Sequence, residues 1–137
     1  MARYLSDAAL AWHAANLAGQ AWDISCHTAE PGTDGLNAEV TAAGGSNYRR
    51  FRLAAAATTA DAVAAGKAAV DNNAELALYV PNAAAAGVTI KFLGLWRDPT
   101  GANEWYGWVS VPDYLTVVGE PVRIPAGALD MTAERPA

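Results

Sequence analysis

Alanine constrains this chain more than any other feature: 33 of its 137 residues are alanine. A methyl group is buried at almost no entropic cost, but it fills little space. Leu, Ile, Val and Phe number 26 in all, a share that marks disordered chains when the net charge is also large. Here the net charge is −5 and charged residues make up 17% of the chain, so collapse is not strongly opposed. Five Trp and five Tyr restore much of the missing bulk. We expect one domain over residues 1–137 with a thin core that is completed against a partner surface.

The same arithmetic excludes several functions. A pI near 4.8 is the wrong sign for a nucleic-acid partner, whose phosphates are held chiefly by Lys and Arg. No uninterrupted apolar stretch approaches the roughly 18 residues of a membrane span. The first residues lack the basic region, apolar run and cleavage site of a signal peptide. Cys26 is the one cysteine, which forbids an internal disulfide and fits synthesis in a reducing compartment.

Residues 5–19 read as one helix. Ser6 is a natural N-cap, Asp7 suits the positive end of the helix dipole, Leu5 and Leu10 occupy staple positions, and Gly19 falls where a C′ glycine stops a helix. Leu10, His13, Ala14 and Leu17 share a face, while Trp12 points elsewhere. After Gly19 the apolar period changes from 3.6 to 2, and residues 21–132 read as a β domain. Trp22, Ile24 and Cys26 face inward; Asp23, Ser25 and His27 form the polar face of a half-buried strand. Glu30 to Gly35 is dense turn chemistry, Leu36 to Thr41 a short edge segment, Gly44 to Ser46 a break, and Asn47 to Leu53 a strand.

Residues 54–74 offer almost no side chain to anchor an element, so they read as an Ala-rich loop with at most one short helix around Thr59 to Gly66. Leu76, Leu78 and Val80 alternate, as do Val88 to Trp96. Asp98 to Asn103 is a loop, and Glu104 to Val111 returns as a hairpin partner. Tyr114 to Val118, Val122 to Ile124 and Ala128 to Thr132 are further short strands, and residues 133–137 an untethered tail. The fold expected is mainly β: a small antiparallel sandwich or barrel with one short N-terminal α-helix.

Few constellations could carry chemistry. Asp23, Ser25 and His27 supply the side chains of a hydrolase triad, but strand neighbours on one face stand about 6.6 Å apart and point in parallel, which does not deliver a base to a nucleophile. The row reads as solvated or interface-facing. Cys26 reads as a small buried hydrophobe. Two His and one Cys without zinc spacing give no metal site, and no glycine-rich phosphate loop is present, so we expect no metal, cofactor or catalytic residue. Trp105, Tyr106 and Trp108 either replace missing aliphatic bulk or stack on sugar rings or a protein partner. Trp105 and Trp108 alternate out of phase, which predicts one buried and the other exposed or against a neighbour. Arg49, Arg50 and Arg52 either pair with acids of a neighbouring subunit or form a solvated edge that discourages strand pairing.

The segment Ile24-Ser25-Cys26-His27-Thr28-Ala29-Glu30-Pro31-Gly32, followed by Gly35 and Glu39, resembles the opening motif of a family of short bacteriophage tail-fibre-like or minor tail structural proteins. Asn47-Tyr48-Arg49-Arg50 is similar to that family's Y-x-R strand, Gly94-Leu95-Trp96 with Asp98-Pro99-Thr100-Gly101 to its central strand and turn, and Ile124-Pro125-Ala126-Gly127-Ala128-Leu129 to its closing strand. The likeness runs in order over residues 22–132. Cys26, Arg97 and the Ala-rich segment after Leu53 depart from the pattern. The resemblance implies a mostly β, non-enzymatic virion component made in the bacterial host cytoplasm. Its seven Arg against two Lys suit a GC-rich genome. The partners implied are other tail or capsid proteins and further copies of the chain, with a host-surface glycan as an alternative. Capsid decoration or a head fibre is the alternative placement. His27 then bonds the turn that follows it, within reach of Pro31, Gly32 or Asp34.

Overall fold

Ser6 opens the first helix from an extended backbone, its Oγ accepting the Ala9 N–H at 3.1 Å. In the computed structural model, which describes residues 6–40, 48–54, 58–60, 67–82, 87–97 and 104–134, this helix is α1 (Asp7–Ala18). The stapling position Leu5 lies outside the described residues. Gly19 ends the helix with its N–H on the Ala15 carbonyl, yet its φ is −79°, so it is a cap without the left-handed turn expected of it. Leu10 and Ala14 are buried and Leu17 partly so, whereas His13 is exposed beside Trp12. The buried stripe is therefore narrower than the expected face.

Nine strands follow among the described residues: β1 (Trp22–His27), β2 (Phe51–Leu53), β3 (Thr58–Ala60), β4 (Lys67–Asn72), β5 (Leu76–Ala77), β6 (Thr89–Arg97), β7 (Glu104–Leu115), β8 (Arg123–Ile124) and β9 (Met131–Glu134). The fold is mainly β with antiparallel pairing and one helix near the N-terminus, as the alternation predicts. The strands divide into an open four-stranded sheet ordered β2-β1-β6-β7, a three-stranded sheet β3-β4-β9 and a β5-β8 pair.

The Ala-rich segment corrects the sequence reading. Instead of a loop, it forms β3 and β4, paired from Thr58–Asn72 to Ala60–Val70. α1 packs across β3, β4 and β9, with Ala14 of the helix and Ala68 of β4 both 1% exposed. Small side chains here let helix and sheet approach closely, so alanine serves as a spacer instead of an anchor. The Thr59–Ala60 end of the expected helical turn is strand, and its remainder lies outside the described residues.

The expected tail from residue 133 is also strand at its start, since Ala133 and Glu134 pair with Ala68 and Lys67; residues 135–137 lie outside the description. Residues 36–40 contribute one bridge, His27–Glu39, in place of an edge strand. Tyr114 and Leu115 belong to β7, not to a separate strand, and the last strand begins at Met131, not Ala128. Val80 is exposed beyond β5. The Gly44–Ser46 break and the Asp98–Asn103 loop fall outside the described residues.

One continuous cluster of buried apolar side chains joins Leu10 and Ala14 of α1 to Trp22 and Ile24 of β1, Leu93 and Leu95 of β6, Val70 of β4 and Leu129. Two bonds tie the helix end into it: Trp22 Nε1 donates to the Leu17 carbonyl at 3.3 Å, and Thr58 Oγ1 to the Ala18 carbonyl at 3.1 Å.

Candidate functional site

β1 is buried on both faces. Its polar row is not solvated: Ser25 and His27 are each 0% exposed, because the segment after His27 folds back over them. His27 Nδ1 donates to the Asn37 carbonyl at 2.8 Å, which leaves Nε2 of the neutral ring as an acceptor. The Ser25 hydroxyl donates to that nitrogen at 2.7 Å, and Trp96 Nε1 donates to Ser25 Oγ at 2.9 Å. A directed chain therefore runs from Trp96 of β6 through Ser25 and His27 of β1 to the loop at Asn37. The strand spacing of about 6.6 Å does not keep Ser25 and His27 apart, because the imidazole leans back across the gap to 2.7 Å.

Asn37 carries the chain onward. Its side chain donates to the Glu30 carbonyl at 2.8 Å and its backbone N–H to the Pro31 carbonyl at 3.0 Å. His27 thus fastens the far end of the turn through Asn37. Pro31 is reached through that relay, and Asp34 caps the Leu36 N–H at 3.0 Å. Burial lowers the His27 pKa from its ordinary value, with the Asn37 carbonyl and Glu39 opposing.

A second branch surrounds the first. Arg50 grips Glu39 with two bonds, 2.8 and 2.9 Å, and its guanidinium lies 3.9 Å from the centre of the Trp96 ring. Tyr48 donates to Glu39 at 2.8 Å and accepts the Cys26 backbone N–H at 3.1 Å. Burial alone pushes the Glu39 carboxyl up, but Arg50 and Tyr48 outweigh it and hold the group below its ordinary range. The Cys26 and Tyr48 acidic groups are pushed far up, chiefly by burial; Cys26 is the buried thiol that the sequence suggests. Arg52 forms a two-bond pair with Asp23, completing the triad-like row without joining the Ser25–His27 bond.

Two glycines make room for this arrangement. A Cβ on Gly94 would overlap Ser25 Oγ, His27 Nε2 and the Trp105 ring. Gly35, at φ +75°, lies against the same indole, where a Cβ would also overlap. Trp105 in turn packs against Trp96 at a tilt of 58°, 4.8 Å between ring centres, closing the knot from above.

Trp105 and Trp108 do not alternate. The register slips between Leu95 and Trp96, so Trp105 opposes Trp96 while Trp108 opposes Gly94. The extra residue, Tyr106, is a bulge, and it returns both tryptophans to one face of the sheet. Trp108 is 39% exposed and edges Phe92, while Tyr106 is 52% exposed and touches buried Trp22. Arg49 is exposed; with Arg50, Phe51, Arg52, Leu78, Tyr79 and Val80 it lines an open groove of about 580 Å³. Among the described residues no group of His, Cys, Asp and Glu is arranged to hold a metal ion.

The candidate residues therefore separate. His27, Trp105 and Arg50 converge on one knot; Trp108 and Tyr106 occupy the outer strand; Arg49 and Arg52 flank a groove. Sequence reasoning about sites missed Asn37, Glu39, Gly94 and Trp96. The signal available was the Gly-x-Trp spacing on the strand that pairs with Ser-x-His.

A network sealed by Trp105 and bonded end to end defines a β structural module whose shared polar residues hold a loop to a sheet. Over residues 1–132 the chain matches the family Gp80, described as podophage GP4 fiber I protein gp80. It belongs to that family of phage fibre proteins, which associates it with the virion and its other components. No curated protein and no solved structure matches the chain.

Proposed function

We propose that the chain is a non-enzymatic subunit of the phage tail, a tail-fibre-like or minor tail component assembled with other virion proteins and further copies of itself. The observation that carries this reading is the family match over residues 1–132. Ser25 and His27 support the non-enzymatic part, because the one serine–histidine pair among the described residues is fully buried and its bonds serve the fold. Immunogold labelling of intact particles tests the placement. Gold on the tail supports it; gold on the head moves the chain to capsid decoration or a head fibre.

A second role is favoured by the bulge at Tyr106. With Trp105 and Trp108 on one face and Trp108 accessible, the sheet presents an aromatic platform of the kind that stacks on sugar rings. Binding on a glycan array that is lost in Trp108→Ala supports host-surface attachment through this face, and an array without binding removes it.

A further inference from the structure

Residues 28–40 fold back over β1 with few apolar anchors: their buried positions are Pro31, Gly35 and Val40, while Leu36 is 62% exposed. Backbone bonds close the base of the segment. The Thr28 N–H donates to the Ala38 carbonyl at 3.1 Å, and the Val40 N–H to the Cys26 carbonyl at 2.9 Å. Ala38 is held there at φ +56°, in the left-handed region that disfavours a residue with a Cβ. Two titratable side chains tie the segment to its surroundings. His27 donates to the Asn37 carbonyl, and Glu39 accepts from Arg50 and Tyr48. β1 and β6, by contrast, share a ladder from Asp23–Trp96 to His27–Phe92. A segment with little buried apolar surface, one strained residue and polar fastenings opens at lower cost than the sheet beneath it.

We propose that residues 28–40 form an acid-released strap: protonation of His27, and at lower pH of Glu39, opens them from the sheet while the β1–β6 ladder stays closed. The imidazole is the first control. Neutral, it donates from Nδ1 and accepts the Ser25 hydroxyl at Nε2. Charged, it donates from both nitrogens. Ser25 Oγ then faces two donors, Nε2–H and the Trp96 indole N–H, and its own proton loses the acceptor it had in a fully buried place. The charged groups around the ring divide. Glu39 favours the charged imidazole and Arg50 opposes it, while the Tyr48 hydroxyl is bonded to Glu39. On β1, Asp23 is paired with Arg52 and the Cys26 thiol belongs to the opposite face. β6 and β7 present Trp96, Gly94 and Trp105, which do not titrate, and the strap's other acids, Glu30 and Asp34, are exposed. Burial prevails and holds the His27 pKa below 6.5, so the opened strap takes up the proton first and opening gains as pH falls below that value. Glu39, also lowered in the folded protein, acts with the same sign below 4.5. Opening uncovers Ser25, His27 and the part of the Trp105 ring that lies against Gly35.

Hydrogen exchange of the intact wild-type chain between pH 7 and pH 5, read by mass spectrometry and corrected for the intrinsic pH dependence of exchange, tests the proposal. Peptides carrying the bonded Thr28, Asn37 and Val40 amides are expected to be roughly tenfold or more less protected than those of the β1–β6 ladder at every pH. Their protection is expected to fall about threefold or more from pH 7 to pH 5, and His27→Gln to remove that fall. Equal protection of the two sets overturns the proposal, because the segment then opens only with the sheet. Strap protection that does not change with pH in the wild type overturns it as well, as does an undiminished fall in folded His27→Gln. Where His27→Gln fails to fold, the two wild-type comparisons decide by themselves.

Discussion

Ser25 and His27 stand two residues apart on β1, with Oγ and Nε2 2.7 Å from each other and both side chains inaccessible to solvent. The same two groups in an open cleft would suggest an activated nucleophile. Here the serine oxygen also accepts from Trp96, the imidazole donates to a loop carbonyl, and Trp105 lies over the pair through the space left by Gly94. Eight of the residues through which the chain resembles phage fibre proteins (Ser25, His27, Gly35, Glu39, Tyr48, Arg50, Gly94 and Trp96) meet in this one place.

Removing the imidazole should be expensive. His27→Leu leaves the Asn37 carbonyl without its donor and the Ser25 hydroxyl without its acceptor, which predicts a loss of about 2–4 kcal/mol. Urea unfolding checks it through a lower midpoint at an unchanged slope. A variant that assembles and melts like the wild type contradicts the role assigned to His27.

Gly94→Ala adds one methyl group where Ser25, His27 and Trp105 already meet. Overpacking of this kind predicts a loss of about 1–3 kcal/mol, read by the same unfolding experiment. Gly127→Ala provides a contrast: it meets no atom but strains a backbone at φ +80°, so its cost of about 1 kcal/mol is conformational.

Acid should weaken the knot in two steps of the same sign. His27 has a folded pKa below its ordinary 6.5, so the unfolded chain takes up a proton first and stability falls as pH drops below that value. Glu39 has a folded pKa below 4.5; its contribution is complete above 4.5 and is lost as pH falls through the lower folded value. Thermal melts from pH 7.5 to 4 are expected to decline, and His27→Gln to flatten the upper part of that decline. A wild-type melting temperature that rises on acidification over this range contradicts the assignment.

The Glu39–Arg50 pair is partly exposed, at 13% and 23%, so solvent screening limits its value. A double-mutant cycle with Glu39→Gln and Arg50→Gln is expected to show coupling of roughly 0.5–1.5 kcal/mol. A coupling of zero would place the guanidinium's contribution in its stacking on Trp96 instead.

Much of the architecture was legible before the structure. Ser6 caps its helix, and the alternation of Trp22 to His27 and Thr89 to Trp96 marks paired strands, because capping and side-chain period are local properties. The hairpin of β3 and β4 was not legible, since it is held from outside by α1 and β9 and its alanines carry no periodic signal. The face shared by Trp105 and Trp108 was hidden by a bulge that strict alternation cannot express. The burial of Ser25 and His27 was missed for a related reason: their cover arrives from Asn37, Trp96 and Trp105, distant in sequence.

The most direct test of a folding role for these residues is complementation of phage lacking this gene with Ser25→Ala, reading infectivity per copy of protein incorporated. The structural account predicts that the ratio stays at the wild-type value, with any deficit explained by less folded protein reaching the particle. Particles that carry a full complement of folded Ser25→Ala protein and yet fail to infect would contradict it.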